Sequence, residues 1–308
     1  MDNKKQYIIG TLIVISSIVV SLFALIPINK KESNTPCVWM KDVNDSKIIN
    51  EMSIPGTHDS GALHSIFDVA GKCQDIDINT QLNIGVRFFD LRLQLVENDF
   101  KIVHSFVNQN LSFSSVMDDI SSFIRKYDSE FILISLKKEA SDINSSKEFK
   151  DALLEKLKNY KDVLSYDKVL PNTIKEARGK IYIIDRCDLS VGINAYSGWL
   201  DSETFTINNL YVQDNYCIND INIKKEDILS TIKYSNENND KLVLNFTSCY
   251  LDYGFPPTYA GTSALIINPW LKTQIQNTND RLGIIVADFI DKELAESIYM
   301  RNMQWKKY

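Results

Sequence analysis

The chain has 308 residues, 34 basic against 40 acidic side chains, a formal net charge of −6 and 44% hydrophobic residues. That apolar share at so small a net charge excludes a disordered protein, and 11 Gly with 7 Pro exclude a collagen-like one. A pI near 5.2 argues against nucleic-acid binding, whose domains usually read above about 9, and the absence of any repeat of about 20–50 residues argues against solenoids and propellers.

The first element in chain order is apolar. Residues 1–7 form a short basic n-region with Lys4 and Lys5, and residues 8–28 carry no charge. At about 1.5 Å per residue such a segment spans a hydrocarbon core of about 30 Å. Two readings stay open, a signal peptide cleaved after Phe23 or an uncleaved transmembrane anchor, and both place the rest of the chain outside the cytoplasm. Residues 29–36 read as a polar linker, and 37–308 as a single folded domain.

Past the linker, apolar β-rich runs alternate with helical patterns. Strands are expected at 86–93, 101–105, 131–138, 181–185, 210–214, 242–248 and 282–289, several of them continuous apolar runs suited to strands covered on both faces. Helical spacing follows Ser112, with Val116, Ile120, Phe123 and Ile124 on one face, and recurs over 147–160, 224–235 and from Pro269 to Gln276. Strand–helix alternation of this length predicts a parallel α/β architecture, an irregular TIM-type (β/α)8 barrel. A doubly wound open sheet is the alternative, but no G-x-G-x-x-G follows any strand. Cys37, Cys73, Cys187, Cys217 and Cys249 show no CxxC spacing, which disfavours a zinc ribbon or redox motif. One disulfide would suit an exported chain, but the spacing selects no partners, and all five also read as small hydrophobes.

In such a barrel, reactive side chains belong at the carboxyl ends of strands. His58 lies in MSIPGTHDSGA beside Asp59, a candidate acid/base pair, and His104 ends KIVHS. His64 has no carboxylate neighbour in sequence and reads as structural. Arg92 ends FFDLR two residues after Asp90, so the two share a strand face; the arginine reads either as a phosphate fork or as half of a surface salt bridge. Asp288 ends GIIVAD and reads either as a helix N-cap or as a group that orients a histidine. Two histidines are too few to hold a zinc ion.

Together MSIPGTHDSGA, GVRFFDLR, KIVH, FILISLKKE, YVQDNY and INPWLK…LGIIVADFI resemble the bacterial phosphatidylinositol-specific phospholipases C, in that family's order and across nearly all of 37–308. The resemblance implies an irregular TIM-like barrel that acts without metal or other cofactor, on the phosphatidylinositol headgroup at a membrane surface; the sequence carries no oligomer signal, so a monomer is the default expectation. It implies His58 as general base, Asp288 as its orienting carboxylate, His104 as general acid assisted by Asp59, and Arg92 as the group that neutralises phosphate charge. Lys137, Arg186, Trp199, Asp214 and Tyr216 would bind the inositol ring. Three departures stand out. Leu93 follows Arg92 where the family has a small residue, Ser105 follows His104 where it has Gly, and the Arg92–His104 spacing is one residue short. Tyr250, Tyr253, Phe255 and Tyr259 crowd one loop, 249–264, which reads either as a bilayer-dipping loop or as aromatic packing. Competing functions are a calcium- or magnesium-dependent phosphodiesterase on a similar barrel and a non-catalytic lipid- or sugar-binding module.

Overall fold

A computed structural model describes residues 36–64, 71–105, 107–252 and 259–303. Residues from Pro36 onward form one compact unit. In chain order the strands are β1 (Ile54–Thr57), β2 (Phe88–Val96), β3 (Asp99–His104), β4 (Val107–Ser112), β5 (Ile132–Lys138), β6 (Leu164–Ser165), β7 (Ile181–Arg186), β8 (Ile193–Asn194), β9 (Thr204–Ile207), β10 (Leu210–Gln213), β11 (Cys217–Ile218), β12 (Leu242–Phe246), β13 (Tyr250–Leu251) and β14 (Ile284–Ala287). The main sheet runs β6-β7-β5-β2-β1-β14-β12-β10, every neighbour parallel, and β9 lies antiparallel on the β10 edge. No ladder joins β9 to β6 or β8 among the described residues, so hydrogen bonding leaves the barrel open on one side. Phe205, Ile207, Ala195 and the ring of Trp199 pack across that opening.

Alternation along the strands sorts the apolar side chains into two layers. Ile54, Phe88, Leu133, Ile184, Val212, Leu244, Phe246, Ile284 and Val286 face the lumen, which Trp39, Met40, Ile49 and Met52 from the first described segment plug from below. Phe89, Leu91, Ile134, Leu136, Ile183, Ile285 and Ala287 face outward against helices that present Val116, Ile120, Leu153, Ile228, Leu271 and Leu294. Burial on both faces is what the continuous apolar runs required.

β1 is the strand the hydrophobic pattern hides, because Pro55 and Gly56 interrupt it. Gly56 is needed there: a Cβ would lie 2.9 Å from Phe88 Cδ1 and 3.2 Å from the Ile285 carbonyl on the two flanking strands. The helix Phe113–Lys126 starts as expected, Ser112 accepting from the Ser115 amide. The last long helix begins at Ala260, not at Pro269. Proline usually marks a helix start because it lacks an amide donor, but the carbonyl it leaves without a partner belongs to Leu265, which is 78% exposed and open to water. All five cysteines are free thiols. Among the described residues no helix is long and apolar enough to cross a membrane, and the 8–28 segment lies outside them, as do Tyr253 and Phe255.

A buried ion pair holds the lower end of the barrel. Arg87 Nε lies 2.7 Å from Glu130 Oε2, both side chains fully buried. Arg87 also donates to the carbonyls of Leu82, Val86 and Cys37, while Glu130 Oε1 accepts from the Met40 amide at 2.9 Å. Removing one partner strands the other charge without water, which typically costs about 3–5 kcal/mol. Arg87→Leu is therefore expected to lower unfolding free energy by about that amount in urea titration. Turnover per folded molecule should stay near the parent value, because the pair lies at the end of β2 away from the histidines.

Candidate active site

The lumen-facing phase of each strand, carried one step past its last apolar residue, delivers a polar side chain to the same rim. Phe88 is followed in phase by Asp90 and Arg92, Leu133 by Ser135 and Lys137, Ile184 by Arg186, Val212 by Asp214, and Val286 by Asp288. His58 continues β1 in the phase of Ile54 and Gly56. All these except Asp90 and Ser135, which lie one step deeper, line a cleft of about 730 Å³, together with Cys73, His104, Glu139, Tyr196, Trp199, Leu200, Asp201, Tyr216 and Tyr250. His64 is exposed and lies outside that lining.

At the centre His58 Nδ1 lies 2.7 Å from Asp288 Oδ1 and His58 Nε2 lies 2.7 Å from Arg92 Nη2. A guanidinium can only donate, so Nε2 is the acceptor and Nδ1 carries the proton that Asp288 accepts. Burial pulls the His58 pKa down, but the Asp288 carboxylate outweighs it and the net shift is upward. The helix after β14 is capped by Asp291, whose side chain accepts from the Leu294 amide, which leaves Asp288 free to orient the histidine.

Arg92 is not at the surface. Its side chain is 13% exposed and lies within 3.4 Å of three carboxylates: Asp59 at 3.3 Å, Asp90 at 3.3 Å and Glu139 at 3.4 Å. Burial alone would lower its pKa, but Asp59 and Asp90 raise it well above the usual value. In return burial is overcome at Asp90, where Arg92 and Arg186 hold the carboxyl well below the usual carboxylate range. Asp59 goes the other way, desolvation raising it despite Arg92 and His104. His104 Nε2 sits 3.6 Å from Asp59 Oδ2, an ionic contact longer than a hydrogen bond.

His104 reaches the rim by a hairpin rather than a barrel strand. Glu97 and Asn98, at φ 52° and 65°, form a two-residue turn of the type that matches strand twist, and β3 returns antiparallel to β2 with Ile102 opposite Leu93. Leu93 is fully buried in the outer layer, so its bulk does not enter the cleft.

Beside this centre is a polar shelf. The Arg186 guanidinium stacks 3.6 Å over the Trp199 ring, and Trp199 Nε1 donates to Asp214 Oδ2 at 2.9 Å. Lys137 Nζ lies 2.8 Å from Glu139 Oε2, and the Tyr216 hydroxyl donates to Asp201. Four contributors escape sequence reasoning. Glu139 follows the KK pair at the end of β5 and joins Arg92 to Lys137. Gln74 donates to the carbonyls of His58 and Ala287, clamping β1 to β14. Lys224, fully buried, donates to Gln213 Oε1 and the Asn215 carbonyl, and so braces the turn that carries Asp214 and Tyr216. Burial pulls its ammonium down to about 8. Cys73 lies in the cleft wall. Among the described residues His58–Cys73–Asp288 and Asp59–Cys73–His104 are two groups with metal-ligating atoms within 4.8 Å of one another.

The family model described as phosphatidylinositol-specific phospholipase C, X domain, matches residues 52–187. The 1-phosphatidylinositol phosphodiesterase of Staphylococcus aureus (strain Newman) is 31% identical over 283 residues, 83% of this chain and 89% of that protein. The enzyme of that name from Listeria monocytogenes is 26% identical over 285 residues, 88% and 87% of the two chains. Among solved structures, a double mutant of the S. aureus phosphatidylinositol-specific phospholipase C superposes with a TM-score of 0.75 at 28% identity, over 84% of this chain and 95% of that one. The chain belongs to the bacterial phosphatidylinositol-specific phospholipase C family.

Proposed function

We propose that this protein cleaves phosphatidylinositol to inositol 1,2-cyclic phosphate and diacylglycerol, using its two histidines for proton transfer and Arg92 in place of a metal. The observation that carries this reading is the unbroken series Asp288–His58–Arg92–Asp59–His104 along one rim of the cleft.

Arg92 occupies the His58 lone pair. An incoming phosphodiester competes for the guanidinium through its non-bridging oxygens, which frees Nε2 to take the proton of the inositol 2-hydroxyl. The 2-oxygen then attacks phosphorus, closing the five-membered ring, while Asp288 steadies the imidazolium. The bond to the glycerol oxygen breaks, and His104, with Asp59 beside it, protonates that oxygen as diacylglycerol leaves. The nucleophile belongs to the substrate, so its approach is set by how the ring is held rather than by a covalent enzyme intermediate. Arg186, Asp214, Lys137 and Tyr216 offer donors and acceptors to the ring hydroxyls, and Trp199 offers its face. Three cations, Arg92, Lys137 and Arg186, with the acids among them, suit one phosphodiester and a neutral inositol. The substrate is therefore phosphatidylinositol or a glycosyl-phosphatidylinositol anchor rather than a polyphosphoinositide.

The nearest competing reading is a divalent-cation phosphodiesterase. Against it stands the Arg92 guanidinium, a fixed positive charge in the middle of the three carboxylates that such an ion would need. Tyr196, Leu200 and Tyr250 at the cleft mouth, with Leu265 and Ile266 on the last long helix, are exposed apolar side chains suited to a lipid surface. The protein then works outside the cytoplasm, secreted or held at the outer face of the membrane by residues 8–28.

Incubated with phosphatidylinositol micelles in excess EDTA, the protein is expected to give inositol 1,2-cyclic phosphate as the first phosphorus NMR signal. Turnover only after adding calcium would shift the assignment to the metal-dependent class, and no turnover in either would favour a binding module. His58→Ala and His104→Ala should each cost about 10²–10⁴-fold in kcat with circular dichroism unchanged. His58 must be neutral to accept a proton, so its raised pKa puts the acid limb of kcat/KM above the ordinary histidine value. Asp288→Asn removes the main raising influence, and that limb should move to lower pH as kcat falls; an unmoved limb would disconnect Asp288 from His58.

A further inference from the structure

The thiol of Cys73 has no part in the chemistry above, yet it stands among the groups that do. Its side chain is 1% exposed, its amide donates to the Ala62 carbonyl, and its carbonyl accepts from the Phe289 amide at 2.7 Å, so the backbone holds it against the cleft wall. Two pairs of acid/base groups lie within ligand distance of it. The pair His58–Asp288 is already joined by a 2.7 Å hydrogen bond. The pair Asp59–His104 is not: Asp59 is fully buried, its Oδ1 has no hydrogen-bond partner and its Oδ2 has only ionic contacts with Arg92 at 3.3 Å and His104 at 3.6 Å, and the buried His104 Nδ1 lacks a hydrogen-bond partner too. Unsatisfied buried polar atoms call for an explanation, an ion among them.

We propose that Asp59, Cys73 and His104 form an inhibitory site for a borderline-soft divalent cation such as zinc. Their ligand atoms lie within 4.8 Å of one another, and a tetrahedral zinc ion with bonds of about 2.0–2.3 Å would draw them to about 3.3–3.7 Å apart, a separation that His104 Nε2 and Asp59 Oδ2 already have at 3.6 Å. One thiolate, one imidazole and one carboxylate are the donors such ions select over calcium and magnesium, and the open cleft supplies water as fourth ligand. On binding, the thiol proton leaves to water and a sulfur–metal bond forms. Its cost is the proton itself, since burial and the surrounding carboxylates push the thiol up, together with repulsion from Arg92. Inhibition follows because the ion takes the nitrogen and the carboxylate that serve the leaving group, a consequence that rests on the functional reading above.

The test uses the full chain, stripped with EDTA and desalted. Zinc chloride is titrated into the phosphatidylinositol assay, and in parallel cadmium chloride is titrated while the ultraviolet thiolate-to-cadmium charge-transfer band is followed. Zinc is expected to inhibit where calcium does not, and cadmium to give the band at one equivalent. Cys73→Thr should turn over at the parent rate, need more than about tenfold more zinc for the same inhibition, and lose that band; Cys249→Ser should keep both responses. Cys73→Ser serves if the threonine variant folds poorly. His104→Gln, read by cadmium alone, should weaken binding although the thiol remains. Equal zinc sensitivity in parent and Cys73 variants, or no band that depends on Cys73, would overturn the site. Failure of the stripped parent to turn over would count against the functional reading, and the cadmium titration would then decide the site by itself.

Discussion

A guanidinium with little access to water must be matched by charge, and Arg92 is matched three times over, by Asp59, Asp90 and Glu139. Each of those carboxylates comes from a different place: the loop after β1, the middle of β2 and the end of β5. Each would be expensive to bury without the arginine. The same guanidinium holds His58 Nε2, so the charge balance of the cleft and the orientation of His58 are one arrangement. Two consequences follow from the excess of acid. Asp90, facing both Arg92 and Arg186, stays ionised, whereas Asp59, desolvated and less well compensated, has its pKa raised. Neighbouring carboxylates thus divide into one held ionised by two arginines and one whose pKa desolvation raises.

One strand carries two buried arginines with opposite tasks. Arg87 lies at the start of β2 and Arg92 five residues on, about 17 Å apart along an extended chain. They also fall in opposite phases. Arg87 points with Phe89 and Leu91 away from the lumen, where a single carboxylate and three carbonyls accept from it at 2.5–2.9 Å. Arg92 points with Phe88 and Asp90 into the lumen, where it meets three carboxylates at the longer distances of 3.3–3.4 Å and His58 Nε2 at 2.7 Å. An arginine held by short hydrogen bonds away from the cleft is structural; one whose carboxylate contacts are long and which faces the cleft can turn to phosphate. The barrel thus separates stability at its amino end from reactivity at its carboxyl end within a single strand.

What could be read from the residues follows the same physics. Strands β5, β7, β12 and β14 were legible because a strand between lumen and helices must be apolar on both faces. The polar residues ending them were legible because such a strand has no reason to place Arg186 or Asp288 in the lumen phase except at the rim. β1 was not, since Pro55 and Gly56 break the run and the glycine answers to Phe88 on the neighbouring strand. Glu139, Gln74 and Lys224 were invisible for a related cause: each acts through a partner distant in sequence, and nothing in its local pattern distinguishes it from a surface residue. Cys73 is the extreme case, a small apolar residue by composition whose neighbours alone make it a ligand.

The departures from the family pattern show how a hairpin can absorb substitution beside a reactive group. Leu93 is harmless because the strand turns it outward, opposite Ile102. Ser105 is a different matter. Its φ is 52°, in the left-handed region where a side chain typically costs about 1–2 kcal/mol and glycine nearly nothing. A glycine at this position would meet that backbone geometry without strain. This chain keeps that geometry with serine, and the Ser105 amide donates to Glu139 Oε1 at 3.3 Å. Glu139 is the carboxylate that also meets Arg92 and Lys137. The strained residue is therefore tied to the same charge cluster that orients His58. The turn after His104 holds its left-handed shape because releasing it would leave a buried acid with one donor fewer.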